Sequence, residues 1–565
     1  MISNNKIKIK GNKNILNIGN GTINIQFVNK IYITSNIDAK EAINNLDKLT
    51  LDAIKNKVVD IRYNNSSQNA NDKNNEGVKY FIDKNYKKAL ECFKEAIEID
   101  ASISEAYYNL GNTKLFLYNE NESIENTGSL EKIFNEVISY YTKAINFSNK
   151  SDFKYYYSRG TLYALSKKYN MAIDDLNQSI DIDNTHPEAY INRANVYLTC
   201  SQNLEEDLKK AEEDLKKAEE LSSEEDKYLT CVLYNNLGNT YLSKGDFYNA
   251  EKYYKKSLEK DKNYIYAILG LANIDIYNYQ YSKNNDYYME ALNKFDEAEK
   301  IEPNFHGIYY NKSHLLLNKG RIEENKESYL EAIKLAEKAL ECLNNKKIED
   351  NITKALYYYN IGIIYSELYT YDKSVENKVI ENYKKSIELN ENDYNPYYNL
   401  ANFYDSIGNK EEAIDYYEKS IEINPKHESS YNNKASILME EGKYDKAIID
   451  LMEVIKINNN NAGAYYNLGV IYSYQGKYKL AIDNFSKCVN ISNDNNLKKI
   501  TFYNMGIITG RMGNNEEAVR NLIRSYEIED NTINNNEILK IIKEEAEKYN
   551  NQVAINYLAQ SNIKN

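Results

Sequence analysis

Tryptophan is absent from the 565 residues of this chain, and proline (four), histidine (four), cysteine (five) and arginine (seven) are all scarce. Each scarcity excludes something. Phosphate recognition depends on clustered cations, and with a net charge of -13 and no basic stripe, nucleic acid is not expected as the main partner. The cysteines, Cys92, Cys200, Cys231, Cys342 and Cys488, form no CxxC pair, so an odd, dispersed set predicts reduced thiols in a cytoplasm. Runs of 18 apolar residues are missing, and the opening MISNNKIKIKGNKN lacks a signal-peptide core; neither membrane insertion nor secretion is expected. Few prolines and no long linker favour a continuous array over several separate domains.

The pieces of catalytic machinery are also missing. His306 and His314 lie eight residues apart, about two helical turns, too far to hold one metal without other ligands. No P-loop, GxSxG, HExxH or dinucleotide fingerprint stands in a suitable context. Paired acids such as Asp174 with Asp175 and Glu411 with Glu412 fall at predicted helix starts, where they complement the dipole. The chain reads as a non-enzyme with no catalytic residue, metal or cofactor.

What is abundant is tyrosine, 56 residues, and asparagine, 85. Both concentrate in one recurring run, YYNLA at 397–401 and YYNLG at 465–469, with degraded copies throughout. The best copies start at Tyr394, Glu428 and Ala462, 34 residues apart, and at Lys499 after a slip to 37. A period near 34 predicts a helical solenoid. Counting from each start, an aromatic stands at place 4, a small residue at place 8, and alanine, an aromatic or leucine, and a small residue at places 20, 24 and 27.

This pattern resembles the tetratricopeptide repeat. The unit from Tyr394 carries Tyr397, Leu400, Ala401, Tyr404, Ala413, Tyr417, Ser420 and Pro425 in the family's order, with tyrosine or phenylalanine replacing the family's tryptophan. The resemblance implies an all-α helix-turn-helix solenoid of about twelve repeats over 70–532, wound as a right-handed superhelix. Units starting at 104, 187, 265 and 355 carry insertions, and a helical extension runs through Cys342. EEDLKKA occurs twice, at 205–211 and 212–218; its apolar positions, with Glu205–Lys209 and Glu212–Lys216 pairs, predict a lengthened repeat helix rather than a partner-binding coil.

The ends differ from the array. Residues 1–37 alternate apolar and polar around Gly19-Asn20-Gly21, which predicts a small β-hairpin or meander; the pattern is similar to short β segments at the front of bacterial signalling and defence proteins. They hold Lys6, Lys8, Lys10, Lys13 and Lys30 and no acid, so they carry +5 and the remainder, 66 cations against 84 acids, carries -18. A helix is expected over 38–62, a hinge over 63–72, and capping helices over 533–565.

The family resemblance implies a binding groove on the concave side, lined by places 2, 5, 6, 9, 12 and 13. Place 6 reads Asn75, Asn109, Ser158, Asn192, Asn236, Gly270, Asn311, Asn360, Asn399, Asn433, Asn467 and Asn504. Composition alone would supply about two asparagines in twelve. Place 5 adds Tyr108, Tyr157, Tyr310, Tyr359, Tyr398, Tyr466 and Tyr503. The asparagine file resembles the ladder of the O-linked N-acetylglucosamine transferase repeats, which grips peptide backbone, although no transferase domain is present. Two readings stand side by side: a peptide-binding file, since each amide offers an acceptor and two donors, or a structural file tying neighbouring repeats. A clamp for a chaperone-tail carboxylate is not expected, because place 2 reads Asn395, Ser429, Gly463 and Ile500 where cations are needed. The expected function is a protein or peptide-binding scaffold in the cytoplasm, without nucleic acid or membrane. The alternatives are self-assembly through residues 1–35 as a homo-oligomer, and presentation of substrates to a separate enzyme.

Overall fold

The computed structural model describes residues 67–120, 130–150, 152–200, 204–223, 226–345, 351–529 and 533–560. They divide into two compact bodies, one ending at Thr353 and one beginning at Lys354. Among the described residues there is no strand. The first body contains α1 (Ser67–Ile82), α2 (Tyr86–Ile99), α3 (Ser104–Glu120), α4 (Leu130–Phe147), α5 (Phe153–Leu165), α6 (Tyr169–Ile182), α7 (Pro187–Cys200), α8 (Leu204–Leu221), α9 (Lys227–Ser243), α10 (Phe247–Lys260), α11 (Ile265–Ser282), α12 (Asn285–Ile301), α13 (His306–Glu323) and α14 (Lys326–Asn344). The second runs from α15 (Asn351–Leu368) through α16 (Glu376–Leu389), α17 (Tyr394–Ser406), α18 (Lys410–Ile423), α19 (Glu428–Glu440), α20 (Tyr444–Ile457), α21 (Ala462–Tyr474), α22 (Tyr478–Ile491), α23 (Asn495–Arg511), α24 (Asn515–Glu527), α25 (Asn535–Tyr549) and α26 (Gln552–Gln560).

Odd-numbered helices through α23 are the first helices of repeats, and each packs on its even-numbered successor. Side chains punctuate them. Asp393 accepts from the Asn395 amide to start α17, and Asn461 does the same for Ala464 in α21. The turn inside a repeat needs a left-handed residue, and glycine supplies it at Gly408 and Gly476, with φ of +83° and +71°.

Within a repeat the small residue at place 8 decides how closely the two helices approach. A Cβ on Gly469 would lie 2.5 Å from the Phe485 ring, and one on Gly238 would lie 2.6 Å from Tyr254. Both rings are fully buried. Charged cross-links supplement this seam: Arg159 forks onto Asp175 with both bonds at 2.7 Å, and Arg193 onto Asp214 at 2.8 and 2.6 Å.

Several sequence expectations meet their outcome here. The EEDLKKA pair is one helix, α8, whose Leu208, Ala211, Leu215 and Ala218 are buried against the array. Its Glu212–Lys216 pair forms at 2.6 Å, but Lys209 turns to Glu213 at 3.9 Å instead of back to Glu205. The hinge expected over 63–72 is corrected in part: from Ser67 the chain is already α1, with Ala70 and Asn74 on its buried side and its polar residues outward. The β-hairpin of 1–37 and the helix of 38–62 lie outside the described residues.

Candidate functional site: the tyrosine–asparagine row of the first helices

Places 5 and 6 are adjacent on each first helix, yet they meet across repeats rather than within one. In the first body Tyr108 Oη lies 3.1 Å from Ser158 Oγ, and Asn192 Nδ2 donates to Tyr157 Oη at 3.1 Å. In the second, Asn399 Nδ2 donates to Tyr359 Oη at 2.7 Å, Asn433 to Tyr398 at 3.3 Å and Asn504 to Tyr466 at 3.1 Å. Place 5 of one repeat is thus tied to place 6 of the next. At the first junction Asn74 stands in for tyrosine and accepts from Asn109 at 3.0 Å; after the last repeat Tyr503 donates instead to Glu537 of α25 at 3.2 Å.

The ties correct the picture of tyrosines facing an open groove. Tyr108, Tyr157, Tyr310, Tyr359, Tyr466 and Tyr503 are buried, and only Tyr398 is half-buried. A helical wheel drawn on one repeat shows place 5 facing away from its own second helix. In the structure the ring rests against an aromatic of its own second helix, as Tyr466 does on Phe485 with centroids 5.7 Å apart, while its hydroxyl reaches the first helix of the next repeat, which the wheel omits. Asn236, Asn311, Asn360, Asn467 and Asn504 are buried as well, Asn109, Asn192, Asn399 and Asn433 are half-buried, and Asn75 is exposed. Burial pushes the Tyr157 and Tyr466 hydroxyls well above the usual phenol range, so the row carries no charge.

Place 9, one turn further along the first helix and asparagine in five units (Asn112, Asn195, Asn239, Asn273 and Asn402), joins the network. Asn192 Nδ2 also reaches Thr161 Oγ1 at 3.0 Å, and Asn433 Nδ2 reaches Asn402 Oδ1 at 2.8 Å. His427 sits beside Tyr398, ring centroids 4.8 Å apart, with Nδ1 2.7 Å from Ser430 Oγ; burial pushes it down to about 4, so it too is neutral.

The chemistry of the row is polar and uncharged. In the ties of Asn192, Asn399 and Asn433 the amide nitrogen is spent inward, while the carbonyl oxygens make no bond to other described residues. After Asn74, wherever place 5 is not tyrosine no tie forms. Ile191, Asn235, Leu269 and Asn432 stand there, and the amides of Asn236, Asn311 and Asn467 each keep a buried atom with no partner. Among the described residues no group of three or more His, Cys, Asp or Glu could hold a metal ion, and no helix is long and apolar enough to cross a membrane.

Comparison with known proteins agrees with this architecture. Models described as tetratricopeptide repeat match residues 153–186, 232–264, 306–338, 394–427, 416–449 and 460–531, and a further TPR repeat model matches 77–115 and 435–476. The chain belongs to the tetratricopeptide-repeat family. The TPR repeat-containing protein MJ1428 of Methanocaldococcus jannaschii is 24% identical over 308 residues, which span 50% of this chain and 52% of that protein. Among solved structures, yeast Tom70 is 16% identical with a TM-score of 0.37, covering 88% of this chain and 100% of its own. A MamA crystal structure is 22% identical with a TM-score of 0.27, covering 33% of this chain and 94% of its own.

Proposed function

We propose that this protein is a non-catalytic scaffold that holds partner proteins by extended segments laid along the first-helix face of its repeats. The observation that carries the reading is the pair of half-buried amides at Asn399 and Asn433 in the second body, repeated by Asn192 in the first, each fixed by its own tie and left with a carbonyl oxygen to offer. A carbonyl held rigidly on the first helix, as at Asn399 and Asn433 of successive repeats, accepts a backbone N–H of a bound chain whatever that chain's side chains are. Fixing the amide beforehand lowers the entropy lost on binding. Membership of a repeat family whose arrays serve as binding surfaces supports the same conclusion.

The test is photo-cross-linking with partners that co-purify with the full chain, identified by mass spectrometry. A photoreactive residue in place of Asn399 should capture one continuous segment of a partner. The same residue in place of Ile449, an exposed position on the second helix α20, should not. Cross-links arising only from position 449 would overturn the proposal.

A further inference from the structure

A second set of contacts joins successive repeats along the edge where first helix turns into second. Place 17, which opens a second helix, meets place 13, in the last turn of the next repeat's first helix. Tyr86 stacks on Phe116 with ring centroids 5.6 Å apart, Phe247 on Tyr277 at 4.0 Å, and Tyr444 on Tyr474 at 6.0 Å with only 8° between the ring planes. Lys410 and Glu440 fill the same two places as an ion pair. Tyr86 and Phe116 are buried, whereas Tyr474 is 51% exposed, and Leu480 in the first turn of α22 is exposed as well. The Tyr444–Tyr474 pair lies wholly in the second body and divides its edge by charge. The two turn segments before Tyr474, 405–412 and 439–446, hold six acids against three lysines, with Glu440 and Glu441 exposed. The segment that contains it, 473–480, holds the exposed Lys477 and Lys479 and no acid. The Phe247–Tyr277 stack, extended by the exposed Tyr281, has no such division, since 244–252 balances two acids with two lysines.

We infer that this edge is an interface at which two copies of the chain dock about a twofold axis through the Tyr444–Tyr474 pair. A strip with acid on one side of a flat aromatic centre and base on the other is complementary to itself when one copy is turned through half a revolution. Glu440 and Glu441 of each copy then face Lys477 and Lys479 of the partner subunit, and the same contact is made twice. The exposed face of the ring pair supplies the apolar area, and the charges fix the orientation, because any docking that sets acid against acid is opposed by repulsion. Packed helices stand about 10 Å apart, so the charged turns lie within roughly one Debye length of the axis at physiological salt. Attraction therefore acts across the whole strip and weakens as salt is added. A strip this narrow belongs to the small, transient class of interface, so the dimer forms in a concentration-dependent way. None of these residues takes part in the tyrosine–asparagine row, and the inference stands independently of the scaffold reading.

Sedimentation velocity of the full chain over a range of concentrations tests this. It should show a monomer–dimer equilibrium whose Kd rises about tenfold or more in Tyr474→Asp and rises also with added salt. Two charge-reversed proteins, each keeping the helical circular dichroism of the unmodified chain, give the sharper readout. Glu440→Lys with Glu441→Lys makes both sides of the ring pair basic, and Lys477→Glu with Lys479→Glu makes both sides acidic, so each protein alone should stay monomeric. Mixed in equal amounts they should form a heterodimer, because every acid then faces a base. An unmodified chain that stays monomeric throughout would overturn the inference. So would association that Tyr474→Asp leaves unchanged, or reversed proteins that fail to pair on mixing. Association lost on deleting residues 1–35 would place the contact in that segment and overturn the inference equally.

Discussion

Asn399 Nδ2 donates to Tyr359 Oη at 2.7 Å across forty residues of sequence, joining two first helices that share no turn. The same pair of places is joined at Tyr157–Asn192, Tyr398–Asn433 and Tyr466–Asn504. In a repeat array, stability is a sum of terms within units and between neighbours, and these bonds belong to the second kind. A buried hydrogen bond contributes about 1 kcal/mol net.

Tyr466→Phe should therefore lower stability by about 1 kcal/mol, and Asn504→Ala by somewhat more, since it also removes packing. A double-mutant cycle followed by urea unfolding should show coupling of about 0.5–1 kcal/mol between them. Strict additivity would mean that the tie contributes nothing.

Two glycines seven residues apart should respond differently to alanine. At Gly469 the added carbon meets the buried Phe485 ring at 2.5 Å, and overpacking of this kind costs about 1–3 kcal/mol. At Gly476 the space is open and the cost comes from the φ of +71° alone, about 1 kcal/mol. Thermal melts should rank Gly469→Ala as the more damaging.

Acid should weaken the fold before its carboxylates titrate. Burial holds His314 and His427 down to about 3 and about 4, against 6.5 when exposed. Below pH 6.5 the unfolded chain therefore binds protons that the folded chain refuses. Stability is full above that pH and falls as pH drops toward 4, by about 2 kcal/mol for each histidine at pH 5. Urea midpoints at pH 7 and pH 5 check this, and His314→Gln should roughly halve the difference, leaving the share of His427.

Breaking one charged fork should cost more than removing both partners. Arg193→Met leaves Asp214 buried without its cation and should destabilise by about 3 kcal/mol. Adding Asp214→Leu should recover most of that loss in the same urea assay.

Local sequence announced the repeat well because the constraints within one unit are strong. Eight of the helices begin at positions the 34-residue phase assigned, among them Ser104, His306, Tyr394, Glu428 and Ala462. Lys227, Asn351 and Asn495 start one turn before their phase, since nothing in the packing seam fixes the length of a helix's free first turn. The site was less legible. That asparagine recurs at place 6 was plain. That tyrosine at place 5 reaches the next repeat was not, because the partner of Tyr359 lies beyond its own unit and a single unit's helical wheel has no neighbour in it. The gaps at Ile191, Asn235 and Leu269 are equally visible in the sequence, but they acquire meaning only once the tie they interrupt is known.

The central claim, that the fixed amides bind polypeptide rather than only tie repeats, is tested most directly by comparing two variants in partner capture. Tyr359→Phe with Tyr398→Phe removes the ties to Asn399 and Asn433 but keeps both amides; Asn399→Ala with Asn433→Ala removes ties and amides alike. The account predicts that capture survives within a few-fold in the first and falls at least tenfold in the second, with both folded. Equal capture by the two variants would contradict it and leave the row a structural device.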